Sequence, residues 1–394
     1  MTENGNHSMQ RRSPGNNYTA PGIYHITINV HDRKKQSLGK IVGNLQCPDG
    51  HPDAPRTELS AIGKMVEHEL THSISSHYPV IEIQDYVIMP EHLHFIAIVK
   101  NSLISKSGRQ THLGQIIAGF KKGCNRHYWE ITNQQAPTSE LLSPVVSPQG
   151  NKVASSASTG RTPLFSYGFV DIIPLKEGQL ETQRAYIHSN PRNRLLRTTH
   201  HTTLSPQQNS IDTLVTLPAL YGYLVREHAL FANDQETRKL IASRLLVANR
   251  TITCDSYGNL ELCHHKMLPV VCHRKDQQLF TKQKTACLEA AQQGTILVSP
   301  RISKGEQEIM DEVSHRGHPI ILITESGFPQ IYHPSEARLN LCATNKLLLL
   351  TPWHYHYRSV NESISVAECK TMNCIAQAIC RTKDDWWKQE KEDR

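Results

Sequence analysis

Residues 23–30 (IYHITINV) are rich in β-formers and read as a strand, and a second strand is expected near 40–47, before a Pro/Asp/Gly turn region. From 57 to 76 the apolar residues Leu59, Ile62, Met65, Val66, Leu70 and Ile74 recur at helical spacing. Residues 80–89 and 92–100 read as two strands separated only by Pro90 and Glu91. A helix is expected over 113–129, with Lys121, Lys122 and Arg126 towards its end. Residues 134–163 are rich in Ser, Pro, Gln and Thr and read as a flexible insertion. A strand at 164–173 and a helix at 178–189 follow, and Asn190-Pro191 is expected to stop that helix. The order β-α-β-β-α-β plus one helix predicts an α+β, ferredoxin-like sheet over 21–200, preceded by a disordered leader at 1–20.

The pattern changes after residue 200. Two helices, near 213–232 and 235–248, predict a helical linker over 201–250. Strands are then expected at 267–272, 295–298, 319–324 and 346–350, with helices at 277–292, 304–313 and 363–380. Strands alternating with helices predict a parallel, doubly wound, Rossmann-like α/β domain over 251–394. No repeat relates the halves.

Composition narrows the class. The chain has 394 residues, 38% hydrophobic and 20% charged, as in an ordinary globular protein. No run of about 18 apolar residues is present, so no membrane span is expected. The polar start MTENGNHSMQRRSPGNN lacks the apolar stretch of a signal peptide, which points to the cytoplasm. Ten scattered cysteines without a CxxC pair point to reduced thiols. A net charge of +7 suits a polyanionic partner, and 23 histidines invite a search for metal sites.

MPEHLHFIAIV is the most informative segment. Side chains alternate across a strand, so His92 and His94 point the same way and can share one ion, while Leu93 and Phe95 enter a core. Two imidazoles fix a divalent metal and leave positions open for a third ligand and a substrate oxygen. Alternatively, they are two surface histidines on an edge strand. His354 and His356 form a second His-x-His that lacks the hairpin context and reads as surface.

The second segment is ETQRAYIHSNPRNRLL. On a helix Tyr186 and Asn190 lie one turn apart on one face. A tyrosine hydroxyl, with an ordinary pKa of about 10, attacks phosphorus poorly unless a nearby metal stabilises the developing charge. An amide oxygen one turn away can complete that metal's coordination. The alternative is a packed Tyr186 and a capping Asn190.

Taken together, MPEHLHF on a hairpin strand, a basic helix downstream, a strand and then YI-x-x-NP resemble the REP-associated tyrosine transposases of the single-tyrosine HUH superfamily, over about residues 21–200. The resemblance implies an HUH domain with His92, His94 and Asn190 as ligands of Mg²⁺ or Mn²⁺ and Tyr186 as nucleophile. It implies cleavage and rejoining of single-stranded, hairpin-containing DNA through a 5′-phosphotyrosine, with the site built within one chain or across a homodimer. Two features depart from the family: the long insertion, and the rival tyrosines Tyr128 and Tyr167. Lys121, Lys122, Arg126, Arg184, Arg192, Arg194 and Arg197 are candidate phosphate contacts, or a solvated face.

In the second half, Ser303 and Glu306 form a capping box, and Arg301, Ser303, Lys304 and Gly305 at that helix start are a candidate anion site. ISKGEQEIM, ITESGFPQIYHP and LLLLTPW resemble the Rossmann-like domain of DNA-processing protein A and its relatives, over about 265–355. Two other readings stay open: a catalytically reduced DNA-hairpin binder, and a nucleotide-binding protein or enzyme acting through the C-terminal domain.

Overall fold

The computed structural model describes residues 16–104, 108–133, 161–227, 234–272, 276–329, 332–358 and 362–388. The expected leader up to residue 15 and the insertion from 134 to 160 lie outside the described residues. The chain divides into two compact units, Met1–Leu195 and Leu196–Arg394.

In chain order the first unit contains β1 (Gly22–Asn29), β2 (Gly39–Val42), β3 (Arg56–Leu59), α1 (Ala61–His68), α2 (Ile74–His77), β4 (Ile81–Met89), β5 (His92–Val99), α3 (Leu113–Ile131), β6 (Val170–Ile172) and α4 (Gln179–Thr199), the last crossing the unit boundary. A π-helical turn, Glu69–Ser73, joins α1 to α2. Four strands form an antiparallel sheet in the order β4-β5-β1-β6, and β2 and β3 form a separate hairpin. Strand alternation decides the faces. Tyr24, Ile26 and Ile28 of β1 and Leu93, Phe95 and Ala97 of β5 are buried in one core with Val66, Leu70, Leu113, Ile116 and Phe120. Burying each large side chain contributes about 1.5–3 kcal/mol. The other face carries His25, Thr27, His92 and His94, since Thr27 pairs with His94 and Asn29 with His92.

Three local expectations for this unit are corrected. Residues 56–59 pair with β2 as a strand, so the helix begins at Ala61, capped by Ser60, whose hydroxyl accepts the Gly63 N–H. The strand expected at 164–173 shrinks to β6, with Phe165 making only an isolated bridge to Val30. Most consequentially, Asn190-Pro191 does not stop its helix, and α4 continues to Thr199 with Pro191 inside. Side-chain ties on both sides of the proline hold it: Arg184 and His188 to Asp85 before, Arg192 to Asp49 after.

The second unit contains β7 (Gln207–Thr216), α5 (Leu217–Glu227), α6 (Gln235–Arg244), β8 (Val247–Ala248), β9 (Thr251–Gly258), β10 (Met267–Pro269), α7 (Gln277–Gln292), β11 (Ile296–Ser299), α8 (Lys304–His315), β12 (Ile320–Ile323), α9 (Glu336–Ala343), β13 (Leu347–Thr351) and α10 (Val366–Cys380). The sheet order is β10-β11-β12-β13-β9-β7, with β8 beside β9. β10 to β13 run parallel in sequence order, and β9 and β7 are antiparallel. The strand order never reverses within the parallel run, so the crevice of a doubly wound sheet does not form there. The segment expected as a helical linker is partly sheet: β7 runs to Thr216, where the first of its two helices was expected to have begun. Every residue of β11, β12 and β13 is buried, the mark of strands covered on both faces.

Candidate active site

The polar face of the first sheet gathers the histidines. The His92 and His94 rings on β5 lie 4.7 Å apart, centre to centre. On β1, the Thr27 hydroxyl is 2.9 Å from His94 Nδ1, and His25 Nε2 is 3.3 Å from the same nitrogen. His25 and His94 are thus buried, with His92 half-buried beside them, where a sheet would ordinarily present aliphatic side chains. Burial pushes the His25 imidazole down to about 4. Burial, with the Arg33 and Arg194 charges, does the same to His92. His94 falls well below its usual value through burial and its two histidine neighbours. All three are therefore neutral near pH 7, the form that offers a lone pair. His92 Nδ1 is buried without a hydrogen-bond partner.

Helix α4 lies against this face. The Tyr186 ring is 5.4 Å from the His94 ring and 6.0 Å from that of His25, within one chain. Tyr186 is 47% exposed, so a strand of nucleic acid can reach it, while Ile187 beside it is fully buried. Asn190 sits inside the helix rather than at its end. Its Nδ2 donates to the Tyr186 carbonyl at 2.6 Å, which leaves the amide oxygen for another partner. The rival tyrosines are elsewhere: Tyr128 is in the core on the opposite sheet face, and Tyr167 is 92% exposed in a loop. Among the described residues no set of three His, Cys, Asp or Glu side chains is arranged to hold a metal ion.

Several expected phosphate contacts have partners within the chain. Lys121 Nζ donates to the Ser166 and Gly168 carbonyls and fastens the loop ahead of β6, so it is not an available phosphate contact. Arg184 binds Asp85 and Gln84, and Arg192 binds Asp49 and the Leu45 and Cys47 carbonyls. Arg194 Nη1 is 3.8 Å from Glu91 Oε1. The Arg197 charge lies beside Tyr257. Lys122 and Arg126 remain exposed on α3.

The candidate anion site in the second unit is filled from within. The buried Glu306 carboxylate accepts the N–H groups of Ile302, Ser303 and Cys272. The Ser303 hydroxyl donates to the Cys272 carbonyl, and Arg301 forks onto Asp311. Gly305 packs so closely that a Cβ would meet Cys272 Sγ at 2.6 Å. The Glu306 carboxylate thus sits beside the helix start and Arg301 is committed to Asp311, which weighs against the anion site expected there. His354 and His356 lie outside any strand, and His356 pairs with Glu362.

Sequence reasoning missed His25, Thr27 and Asp85. The first two were marked by position, since they alternate with Tyr24, Ile26 and Ile28 and so must face away from the core.

No protein-family model matches the chain. No curated protein sequence matches it either. Among solved structures, one described as the REP-associated tyrosine transposase bound to a REP hairpin is similar at a TM-score of 0.27 and 15% identity, covering 46% of this chain and 73% of that one. At that score the likeness fixes neither fold nor function.

Proposed function

We propose that the first unit is a metal-dependent, single-tyrosine DNA strand transferase of the HUH type, acting on single-stranded DNA that carries a hairpin. One observation carries the reading: an exposed tyrosine, Tyr186, is held over a pair of neutral histidines, His94 buried and His92 half-buried, on one sheet face. The antiparallel sheet order β4-β5-β1-β6, with helices between its strands, is compatible with the α+β arrangement expected for such a domain. His92 and His94 would hold Mg²⁺ or Mn²⁺, with the Asn190 amide oxygen as third ligand. Their neutral state and the unpartnered His92 Nδ1 suit that role. Bound there, the ion would polarise a scissile phosphate and stabilise charge in the transition state.

The chain's own residues do the rest. The Tyr186 oxygen attacks phosphorus, a Tyr–O–P bond forms, and the bond to the 3′ oxygen breaks. The phenol gives up its proton and the departing 3′ oxygen takes one up. The product is a 5′-phosphotyrosine with a free 3′-OH. The reverse attack rejoins strands without an external energy source, because the ester is retained. Lys122 and Arg126 on α3 are the expected phosphate contacts. For the second unit we propose an accessory α/β role, Rossmann-like in its parallel run.

The test incubates labelled single-stranded DNA bearing a short hairpin with protein and Mn²⁺ or Mg²⁺. A covalent protein–DNA adduct is expected for the native chain and none for Tyr186→Phe. An adduct that survives the substitution, or no cleavage with either metal, refutes the proposal.

A further inference from the structure

Edge strand β4 contains an irregularity with a definite geometric result. Ile83 pairs with Ala97, but the next pair is Tyr86 with Phe95, so Gln84 and Asp85 together stand opposite Ile96. That is a β-bulge, two residues against one. Ile83 and Tyr86 share the core face with their partners. Both bulge residues are thereby turned to the other face, towards α4. Without the bulge, alternation would send one of them to the core side.

What they meet on α4 is specific. Asp85 Oδ2 accepts from Arg184 Nε at 3.0 Å, and Asp85 Oδ1 lies 2.7 Å from His188 Nε2. Gln84 Oε1 accepts from Arg184 Nη2 at 2.5 Å. Arg184 and His188 are one helical turn apart, so they face the same way, and Tyr186 lies midway between them in sequence. One carboxylate therefore grips the helix on either side of the tyrosine. Burial works to raise the Asp85 carboxyl, but the His188 hydrogen bond and the Arg184 charge outweigh it and hold it below the usual range.

Pro191 explains why this half of the helix needs its own anchor. It has no N–H to give the Ile187 carbonyl, so the ladder is interrupted just after the segment that carries Tyr186. Beyond the proline, Arg192 is fastened to Asp49 and to the Leu45 and Cys47 carbonyls. Those ties fix the second half of α4 and act on the first only through the interrupted ladder. Ahead of the proline, Gln84 and Asp85 tie α4 to the sheet.

We propose that Asp85, delivered by the β4 bulge, is a positioning residue that sets the rotation of α4 and so holds Tyr186 over His94. The inference rests on the reading of Tyr186 as nucleophile for its kinetic consequence, but its structural content stands apart. Asp85 touches neither the histidine pair nor the tyrosine. Its loss leaves the metal ligands on β5 in place while Tyr186 wanders, and misplacement of a reacting group by about 1 Å costs up to roughly 100-fold in rate.

The test uses the full-length chain with Asp85→Asn, and His188→Gln as a second variant that keeps Asp85 itself. Hydrogen exchange read on peptides across α4 and β5 tests the clamp without any DNA. Faster exchange in the Tyr186 segment, with β5 unchanged, is expected in both variants. Unchanged α4 exchange overturns the proposal, whether or not the chain cleaves DNA. Single-turnover adduct formation supplies the kinetic test. A fall of roughly 10- to 100-fold in rate at saturating Mn²⁺ is expected, with DNA affinity unchanged. A loss expressed wholly as weaker DNA binding overturns it. If the native chain forms no adduct, the catalytic reading fails while the exchange result still decides the clamp.

Discussion

The two sheets of this chain treat their second faces in opposite ways. In the second unit, Ile296, Val298, Ile321, Ile323, Leu348 and Leu350 pack under α5, α6 and α10, and the strands are apolar on both sides. In the first, the corresponding face carries His25, Thr27, His92 and His94, and the helix against it brings Tyr186, Arg184, His188 and Asn190. Two buried imidazoles and a half-buried third, all with depressed basicity, stabilise a fold less than aliphatic residues would. A sheet face that carries that cost is more readily explained by chemistry than by packing.

The comparison can be broken most severely from its apolar side. Leu350→Ala is expected to destabilise the second unit by about 2–5 kcal/mol through the cavity it leaves. The first unit's transition in urea, followed by histidine NMR, should not move. A shared loss would show that the units do not report separately.

Acid should act on the other side. His25 takes up its proton near 6.5 when unfolded and only near 4 when folded. Between those values the unfolded chain binds the extra proton, so stability falls as pH drops from 6.5 to 4. For His25 alone the loss is on the order of 3 kcal/mol. Urea midpoints in the presence of a chelator should therefore fall over that window, and His25→Leu should flatten the slope. An unchanged slope in that variant would mean that His25 is not buried neutral.

Divalent ions sharpen the contrast further. Mn²⁺ at a hundredfold excess over its dissociation constant should stabilise the first unit by about 2.7 kcal/mol. The second unit should be indifferent, and His94→Ala should erase the effect. The smallest effect is electrostatic. Lys122→Ala and Arg126→Ala should each lower the slope of log affinity for single-stranded DNA against log salt by about 1. Lys121→Ala should instead lower stability, because its ammonium serves two carbonyls.

These contrasts were unevenly written in the sequence. The β4–β5 hairpin was legible because both runs are rich in β-formers and Pro90-Glu91 marks the turn. Strand and helix periods put His92 with His94, and Tyr186 with Asn190, on one face each, but only the resemblance to the tyrosine transposases brought the two segments together. Three things were not. β7 and β9, QQNSIDTLVT and TITCDSYG, lack a clean alternating pattern and are strands because they pair with each other. Pro191 misled because its local cost is outweighed by Arg184, His188 and Arg192, whose partners are distant in sequence. Gln84 and Asp85 gave no sign of a bulge, since neither residue type specifies one. The capping box at Ser303 was legible, but that Glu306 fills the anion position emerges only from its contacts with Ile302 and Cys272.

The central claim is that Tyr186, held over the histidine face, becomes covalently linked to DNA. The most direct measurement digests the adduct formed with single-stranded hairpin DNA and Mn²⁺ and locates the nucleotide by peptide mass spectrometry. The account predicts a phosphotyrosine-linked nucleotide on the peptide containing Tyr186. A nucleotide on Tyr128 or Tyr167, or cleaved DNA with no covalent peptide, would contradict it.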